Sequence, residues 1–375
     1  MDKKWRHICL VCLGMFLVAA WSSCTATNPG TLEIGCISIL SGDVATYGSE
    51  TRHGIDLALE DIDASEILGT NKISVKYEDS RIDAVVGTQA INKLINIDKV
   101  PAIIGPFSSR VMMAVAPIAE KNRVVLLSAS ATADDIRDAG KYIYRIVPPN
   151  KAQGTTAARF IYNQLGATKV AVYYVNDEYG VSLAREFKAA FEAVGGSTCF
   201  YEAFDPGQTD FRSSIEKIKA TKPDAIYFPG QAGETGRILR QAKEIGLDKP
   251  FVGGDGSYSP DLITIAGDAA EGSYYTLMSM DYDSAKRRIE EFESRYSARF
   301  GEDATVYAAY AYDAMRVLAN AISASKEFTG PAIKSALDNM DAYHGITGIT
   351  DFDENGEVDK SFAVYQVVGG KFIIN

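Results

Sequence analysis

Histidine is scarce in this chain of 375 residues: there are three, and only His53 and His344 lie beyond the N-terminal segment. Neither stands at the spacing of a zinc ligand set, and no serine has an evident histidine partner for nucleophilic attack. Cysteine is scarce too. Of the five, Cys9, Cys12 and Cys24 crowd the N-terminus, while Cys36 and Cys199 are far apart, so no disulfide framework is indicated. No G-x-G-x-x-G follows a strand and no G-x-S-x-G occurs, which removes the signatures of dinucleotide binding and of the hydrolase nucleophile elbow. Basic residues are outnumbered, 38 Lys and Arg against 49 Asp and Glu, for a formal net charge of −11. Such a balance argues against nucleic acid, whose phosphates need a basic surface.

A long hydrophobic run is also lacking. The first apolar stretch, ICLVCLGMFLVAAW, is too short for a membrane span. It follows Lys3, Lys4, Arg6 and His7 and precedes Ser22, Ser23 and Cys24, the order of basic start, apolar centre and small residues in a secretory signal. The serines before Cys24 resemble a bacterial lipoprotein signal, which implies that residues 1–23 are removed and Cys24 is lipidated. Trp21 departs from the usual small or aliphatic residue there, and an ordinary signal cut nearby is the alternative. Either reading exports the chain.

What remains is ample core material, with 46% hydrophobic residues, and a length that suggests two domains. The body alternates strand and helix signals: TLEIGCISIL, the helical HGIDLALEDID with Ile55, Leu59 and Ile62 on one face, ISVKYED, the helical DAVVGTQAINKLINID, PAIIGPF, and VVLLSAS. After the Pro148–Pro149 pair the pattern restarts with KVAVYYVND, STCFYEAFD, DAIYFPG and PFVGGD. Repeated units of this kind predict an α/β fold, parallel sheets covered by helices on both faces.

In such sheets ligands sit beyond the carboxyl ends of the strands. Two neighbouring strand ends here carry hydroxyls: Ser108 and Ser109 after PAIIGPF, and Ser128, Ser130 and Thr132 after VVLLSAS. Each cluster alone reads as helix capping. Two at one edge point to a shared anion site, helped by free N–H groups and the helix dipole. The twenty tyrosines read as core and edge packing in strands. DFDENGEVDKSF starts like a calcium loop, but Phe362 stands where its last ligand should be, so a tight turn is the better reading.

The motifs LSGDVATYG, GPFSS, SASAT, NDEYG, ETGRILRQAKEIG and GGDG, in that order and over nearly the whole chain from Leu32, resemble the periplasmic leucine/isoleucine/valine-binding protein family. That resemblance implies a type I periplasmic-binding-protein fold: two Rossmann-like lobes with parallel-rich sheets, joined by three hinge crossings. Lobe one would comprise residues 32–149 and 281–361, lobe two residues 150–279 and 362–375. It further implies a non-enzymatic, monomeric substrate-binding protein of an ABC importer, in the periplasm or lipid-anchored at the outer face of a membrane. Such a protein captures an amino acid by hinge closure and delivers it to permease subunits, without metal or cofactor.

Carried over by position, the resemblance implies that Ser109 binds the ligand's α-carboxylate, with Ser130 and Thr132 contacting its backbone groups. Tyr179 would close over it from the second lobe and Asp255 would pair with its α-ammonium; Tyr47 and Phe107 would shape the side-chain pocket. Gln231 stands where branched-chain binders often carry an aromatic, and its amide offers a hydrogen bond to a polar side chain. Ser108 replaces a cysteine that forms a disulfide in some members, and Arg81 stands near the place of its partner. A ligand-sensing module of the same fold, feeding a membrane receptor, is the main alternative; an exported α/β enzyme is a third, without motifs to support it. Splitting a zwitterion's contacts between neutral donors in one lobe and a carboxylate in the other suits hinge closure.

Overall fold

The computed structural model describes residues 30–42, 44–280 and 283–375. The expected signal segment, residues 1–23, and Cys24 lie outside the described residues. The first sheet has five parallel strands in the order β2-β1-β3-β4-β5: β1 Thr31–Ser38, β2 Lys72–Asp79, β3 Ala102–Ile104, β4 Val125–Ser128 and β5 Ile143–Arg145. β3 and β4 are buried along their length, as apolar runs covered on both faces must be.

Helices α1 Thr46–Ser65, α2 Ala84–Asn96 and α3 Ser109–Asn122 connect the first four strands. Their starts follow from local chemistry. Asp83 accepts the N–H groups of Val85 and Val86 at 2.8 and 2.9 Å to cap α2, and Ser108 accepts that of Val111 at 3.3 Å to cap α3. α1 begins earlier than its apolar face predicts, taking Thr46 and Tyr47 into its first turn.

The second sheet has seven strands in the order β14-β13-β10-β9-β8-β6-β7. Its parallel part is β6 Lys169–Val175, β7 Ser197–Phe204, β8 Ala225–Phe228, β9 Phe251–Gly253 and β10 Tyr274–Met278. α4 Asn150–Asn163, α5 Glu178–Ala193, α6 Arg212–Thr221, α7 Ala232–Ile245 and α8 Pro260–Ala266 accompany these strands. The chain then leaves this sheet for α9 Lys286–Phe300, α10 Val306–Ala324 and α11 Gly330–Asp338, followed by the small hairpin of β11 Tyr343–Gly345 and β12 Gly348–Thr350. It returns as the antiparallel edge pair β13 Phe362–Val368 and β14 Lys371–Ile374.

α10 runs beside α1 at a distance only glycine permits: a Cβ on Gly54 would lie 2.0 Å from the Ala308 carbonyl oxygen. Most of its alanines and tyrosines are buried, including Tyr307 and Tyr310. Tyr173 of β6 and Tyr227 of β8 are likewise wholly inside. In the segment that starts like a calcium loop, the Asp353 carboxylate accepts the N–H groups of Asn355 and Glu357 at 2.8 and 3.0 Å, holding a tight turn. Glu357 of that turn pairs with the buried guanidinium of Arg145.

Candidate binding cleft

The carboxyl ends of β3 and β4 face the end of β9 across a cleft, and the loops after these strands form its walls. The loop after β3 carries Phe107 and Ser108 and leads to Ser109 at the start of α3; the loop after β4 carries Ser130 and Thr132. Their hydroxyls knit the loops together. Ser128 Oγ donates to the Pro106 carbonyl at 2.9 Å and accepts from Ala131 N–H at 3.0 Å, and Ser130 Oγ donates to the Phe107 carbonyl at 2.8 Å. Ser109 Oγ accepts from Ala133 N–H at 3.1 Å, an arrangement that leaves its own O–H free to donate. Thr132 Oγ1 is buried without a hydrogen-bond partner.

On the opposite wall β9 ends in Gly253, and Gly254 leads into a tight turn at Asp255. A Cβ on Gly254 would sit 2.3 Å from the Tyr179 hydroxyl, so only glycine lets that ring approach. Tyr179 lies in the first turn of α5, whose start is fixed by Asp177 accepting Gly180 N–H at 2.9 Å. Its hydroxyl donates to Asp255 Oδ1 at 2.9 Å and accepts from Gly256 N–H at 3.1 Å. Gln153 of α4 donates from Nε2 to the same Oδ1 at 2.9 Å and to the Thr276 carbonyl at 3.0 Å.

The Asp255 carboxyl is pushed up to about 6, chiefly by burial, with the Gln153 and Tyr179 hydrogen bonds working the other way. Burial also holds the Tyr179 phenol well above its ordinary range, so it remains a neutral donor. Gln231, at the start of α7, places a buried side-chain oxygen without a partner at the same wall.

Aromatic rings join the two walls. Tyr47 of α1 stacks on Phe107 with centroids 5.0 Å apart, and Tyr307 of α10 packs against both at 5.0 and 5.2 Å. Tyr47 donates to the Gly256 carbonyl at 2.8 Å and Tyr307 to the Asp255 carbonyl at 2.6 Å. At the rim, Thr46 donates to Asp261 and Ser182 to Asp134, each at 3.0 Å. The cleft is therefore closed. It encloses about 20 Å³, room for roughly one water, so anything larger enters only as the walls part.

Of the residues singled out from the sequence, Ser109, Ser130, Tyr179, Asp255, Phe107 and Gln231 line this cavity. Tyr47 and Thr132 do not. The Tyr47 ring lies behind Phe107 with its hydroxyl engaged by Gly256, and Thr132 is covered by the chain leading into α4, its carbonyl accepting Asn150 N–H at 2.8 Å. Ser108, Gly256 and Tyr307 also line the cavity, and Gln153 supports Asp255 from behind. Tyr307 and Gln153 project from within helices, where no strand end draws attention to them. Among the described lining residues Asp255 carries the one formal charge.

The comparison with known proteins agrees with this architecture. The family model described as periplasmic binding protein matches residues 31–371. The chain is 30% identical over 340 residues to the leucine-, isoleucine-, valine-, threonine- and alanine-binding protein of Pseudomonas aeruginosa, covering 90% of each chain. A crystal structure of a leucine binding protein from Thermotoga maritima superimposes with a TM-score of 0.86 at 30% identity, covering 92% of this chain and 97% of that one. The branched-chain amino acid transporter substrate binding protein of Streptococcus pneumoniae, solved in complex with isoleucine, gives 0.85 at 29% identity, with 92% and 99% covered. No helix among the described residues is long and apolar enough to cross a membrane. With two parallel-rich sheets facing each other across a cleft, and a match that runs nearly end to end, the chain belongs to the periplasmic binding protein family and has its type I fold.

Proposed function

We propose that this chain is the extracytoplasmic substrate-binding protein of an ABC importer and that it captures an α-amino acid by closing two lobes around it. The lobes are residues 32–149 with 281–361 and residues 150–279 with 362–375. The observation that carries the reading is the solitary charge of Asp255 facing a wall of hydroxyls. A zwitterion needs a carboxylate at one end and neutral donors at the other. Its ammonium goes to Asp255, held in place by Tyr179 and Gln153. Its carboxylate goes to the Ser109 hydroxyl and the N-terminus of α3, whose dipole favours an anion, with Thr132 behind that wall. Ser130 adds backbone contacts, Phe107 shapes the pocket with Tyr47 behind it, and the Gln231 amide receives a side chain that donates a hydrogen bond.

Each half of the ligand meets a different lobe, so the full set of contacts forms only on closure, and the closed form is what permease subunits receive. The protein acts by binding, as a monomer, without catalysis. A thermal-shift screen of amino acids tests this: a shift confined to α-amino acids is expected, and no response to any of them would overturn it.

A further inference from the structure

Beside the cleft lies a second, larger groove of about 990 Å³, bounded by α1, α8, α9, the N-terminal end of α10 and the β13–β14 hairpin. One side is aromatic: Tyr258, Tyr365 and Phe372, with the rings of Tyr258 and Phe372 centred 4.7 Å apart. The other is acidic: Glu50, Glu293, Glu302 and Asp303, against Lys371 as the one cation among the described lining residues. Carboxyl groups on a surface are ordinary, but Glu50 is 4% exposed and its Oε2 is buried with no hydrogen-bond partner. An unpaired buried carboxyl oxygen that lines a groove is an unmet demand for a donor or a cation. Aromatic faces next to carboxylates attract organic cations through the ring quadrupole. A bare metal ion is a poorer match, because no three metal-ligating groups converge here among the described residues.

We propose that this groove is a second ligand site, which takes an organic cation, an ammonium group on an apolar body, with the charge at Glu50 and the body along Tyr258, Tyr365 and Phe372. Glu50 comes from a helix of the first sheet's layer and Phe372 from the second sheet, so a cation held here also favours the closed arrangement. The protonation of Glu50 fits the role. Burial pushes its carboxyl up to about 8, Thr305 opposes this, and Glu302 and Asp261 add to it. Around it stand Glu293 on α9, Glu302 and Asp303 before α10, Tyr258 and Asp261 at α8, and Lys371 on β14; His53 and Tyr296 engage Glu302. A cation must displace the Glu50 proton, so its binding strengthens as pH rises through about 8.

Calorimetric titration of the full chain with choline, and with its neutral isostere 3,3-dimethylbutan-1-ol, tests the assignment. Choline is expected to bind at millimolar concentration or below and more tightly at higher pH, while the alcohol gives no comparable signal. Glu50→Gln should weaken choline by about tenfold or more, as loss of a desolvated charge partner does, and flatten the pH dependence; Phe372→Ala should weaken it independently. Asp255→Asn should leave choline binding intact, which separates this site from the amino-acid cleft. Absence of choline binding, equal binding of the alcohol, or loss on Asp255→Asn with none on Glu50→Gln would overturn the proposal.

Discussion

Tyr179 donates its phenolic hydrogen to Oδ1 of Asp255 at 2.9 Å while accepting the N–H of Gly256, the very next residue. One side chain thus fixes both the carboxylate and the turn that carries it. Gln153 reaches the same oxygen from the other side, so Asp255 is oriented before any ligand arrives. A preorganised carboxylate loses little freedom on binding, which favours affinity.

Asp255→Asn keeps the shape of this arrangement and removes its charge. Truncating one member of a desolvated charge pair typically costs about 2–5 kcal/mol, so affinity for an amino acid should fall by more than about tenfold. The matching keto acid, which has no ammonium, should bind wild type and variant alike. Calorimetry on both proteins with both ligands decides the matter: equal losses, or none, would reduce Asp255 to a turn residue.

The raised carboxyl of Asp255 sets a pH dependence. Its proton competes with the ligand's ammonium, so affinity should be steady above pH 7 and fall as pH drops through about 6. Stability of the unliganded protein moves the other way at this residue. The folded carboxyl holds its proton more tightly than an unfolded one near 3.9, so its burial penalty is relieved as pH falls between about 6 and 4. Ligand titrations and unfolding measurements from pH 4 to pH 8 on wild type and Asp255→Asn isolate both effects, which should vanish in the variant.

Ser109→Ala should weaken ligand binding by about 1–3 kcal/mol, because a charge-assisted hydrogen bond to the carboxylate is lost in a closed site. The same hydroxyl also accepts Ala133 N–H, so a smaller loss of unliganded stability should accompany it. An unchanged dissociation constant would remove Ser109 from the site.

How much of this was legible in the sequence depended on whether a residue sat at a strand end. β3, β4 and β9 are short runs bounded by turn residues, and hydroxyls or a carboxylate lie just beyond them. Ser109 stands out for that reason, whereas Asp255, in a glycine-rich turn, is marked chiefly by the family resemblance of GGDG. Tyr307 does not, because most of α10 is buried and only a narrow strip through Tyr312, Arg316, Asn320 and Ser323 reaches the surface, so its apolar pattern singles out no one residue. Gln153 looks like any polar residue in a helix until the fold places it under Asp255. The displacement of Tyr47 and Thr132 from the cavity wall depends on how the lobes close and on side-chain stacking, which linear order does not encode.

Cys24→Ser tests the attachment implied by the lipoprotein-like signal. The variant should be released from the membrane fraction or remain unprocessed, since stable anchoring needs more than one acyl chain and all of them depend on that cysteine. Fractionation that finds the wild-type chain wholly outside the membrane fraction would defeat the lipid anchor.

Gln231 bears on which amino acid is held. Its side-chain oxygen is buried at the cavity wall without a partner, and leaving such an atom unpaired costs about 1–3 kcal/mol. A ligand side chain with a hydroxyl or amide donor offsets that cost, whereas an aliphatic one leaves it in place. Sites built to hydrogen-bond a ligand group discriminate against analogues that lack it more sharply than apolar pockets discriminate by size. Gln231→Leu conserves approximate volume and removes the demand. The ratio of leucine affinity to threonine affinity should therefore rise by about tenfold or more in the variant, a change of roughly 1.4 kcal/mol or above. Unliganded stability should hold or improve, because an unpaired polar atom has been replaced by an apolar one. Parallel titrations with leucine and threonine measure the ratio directly, and a ratio left unchanged would mean that the Gln231 amide plays no part in selecting the side chain.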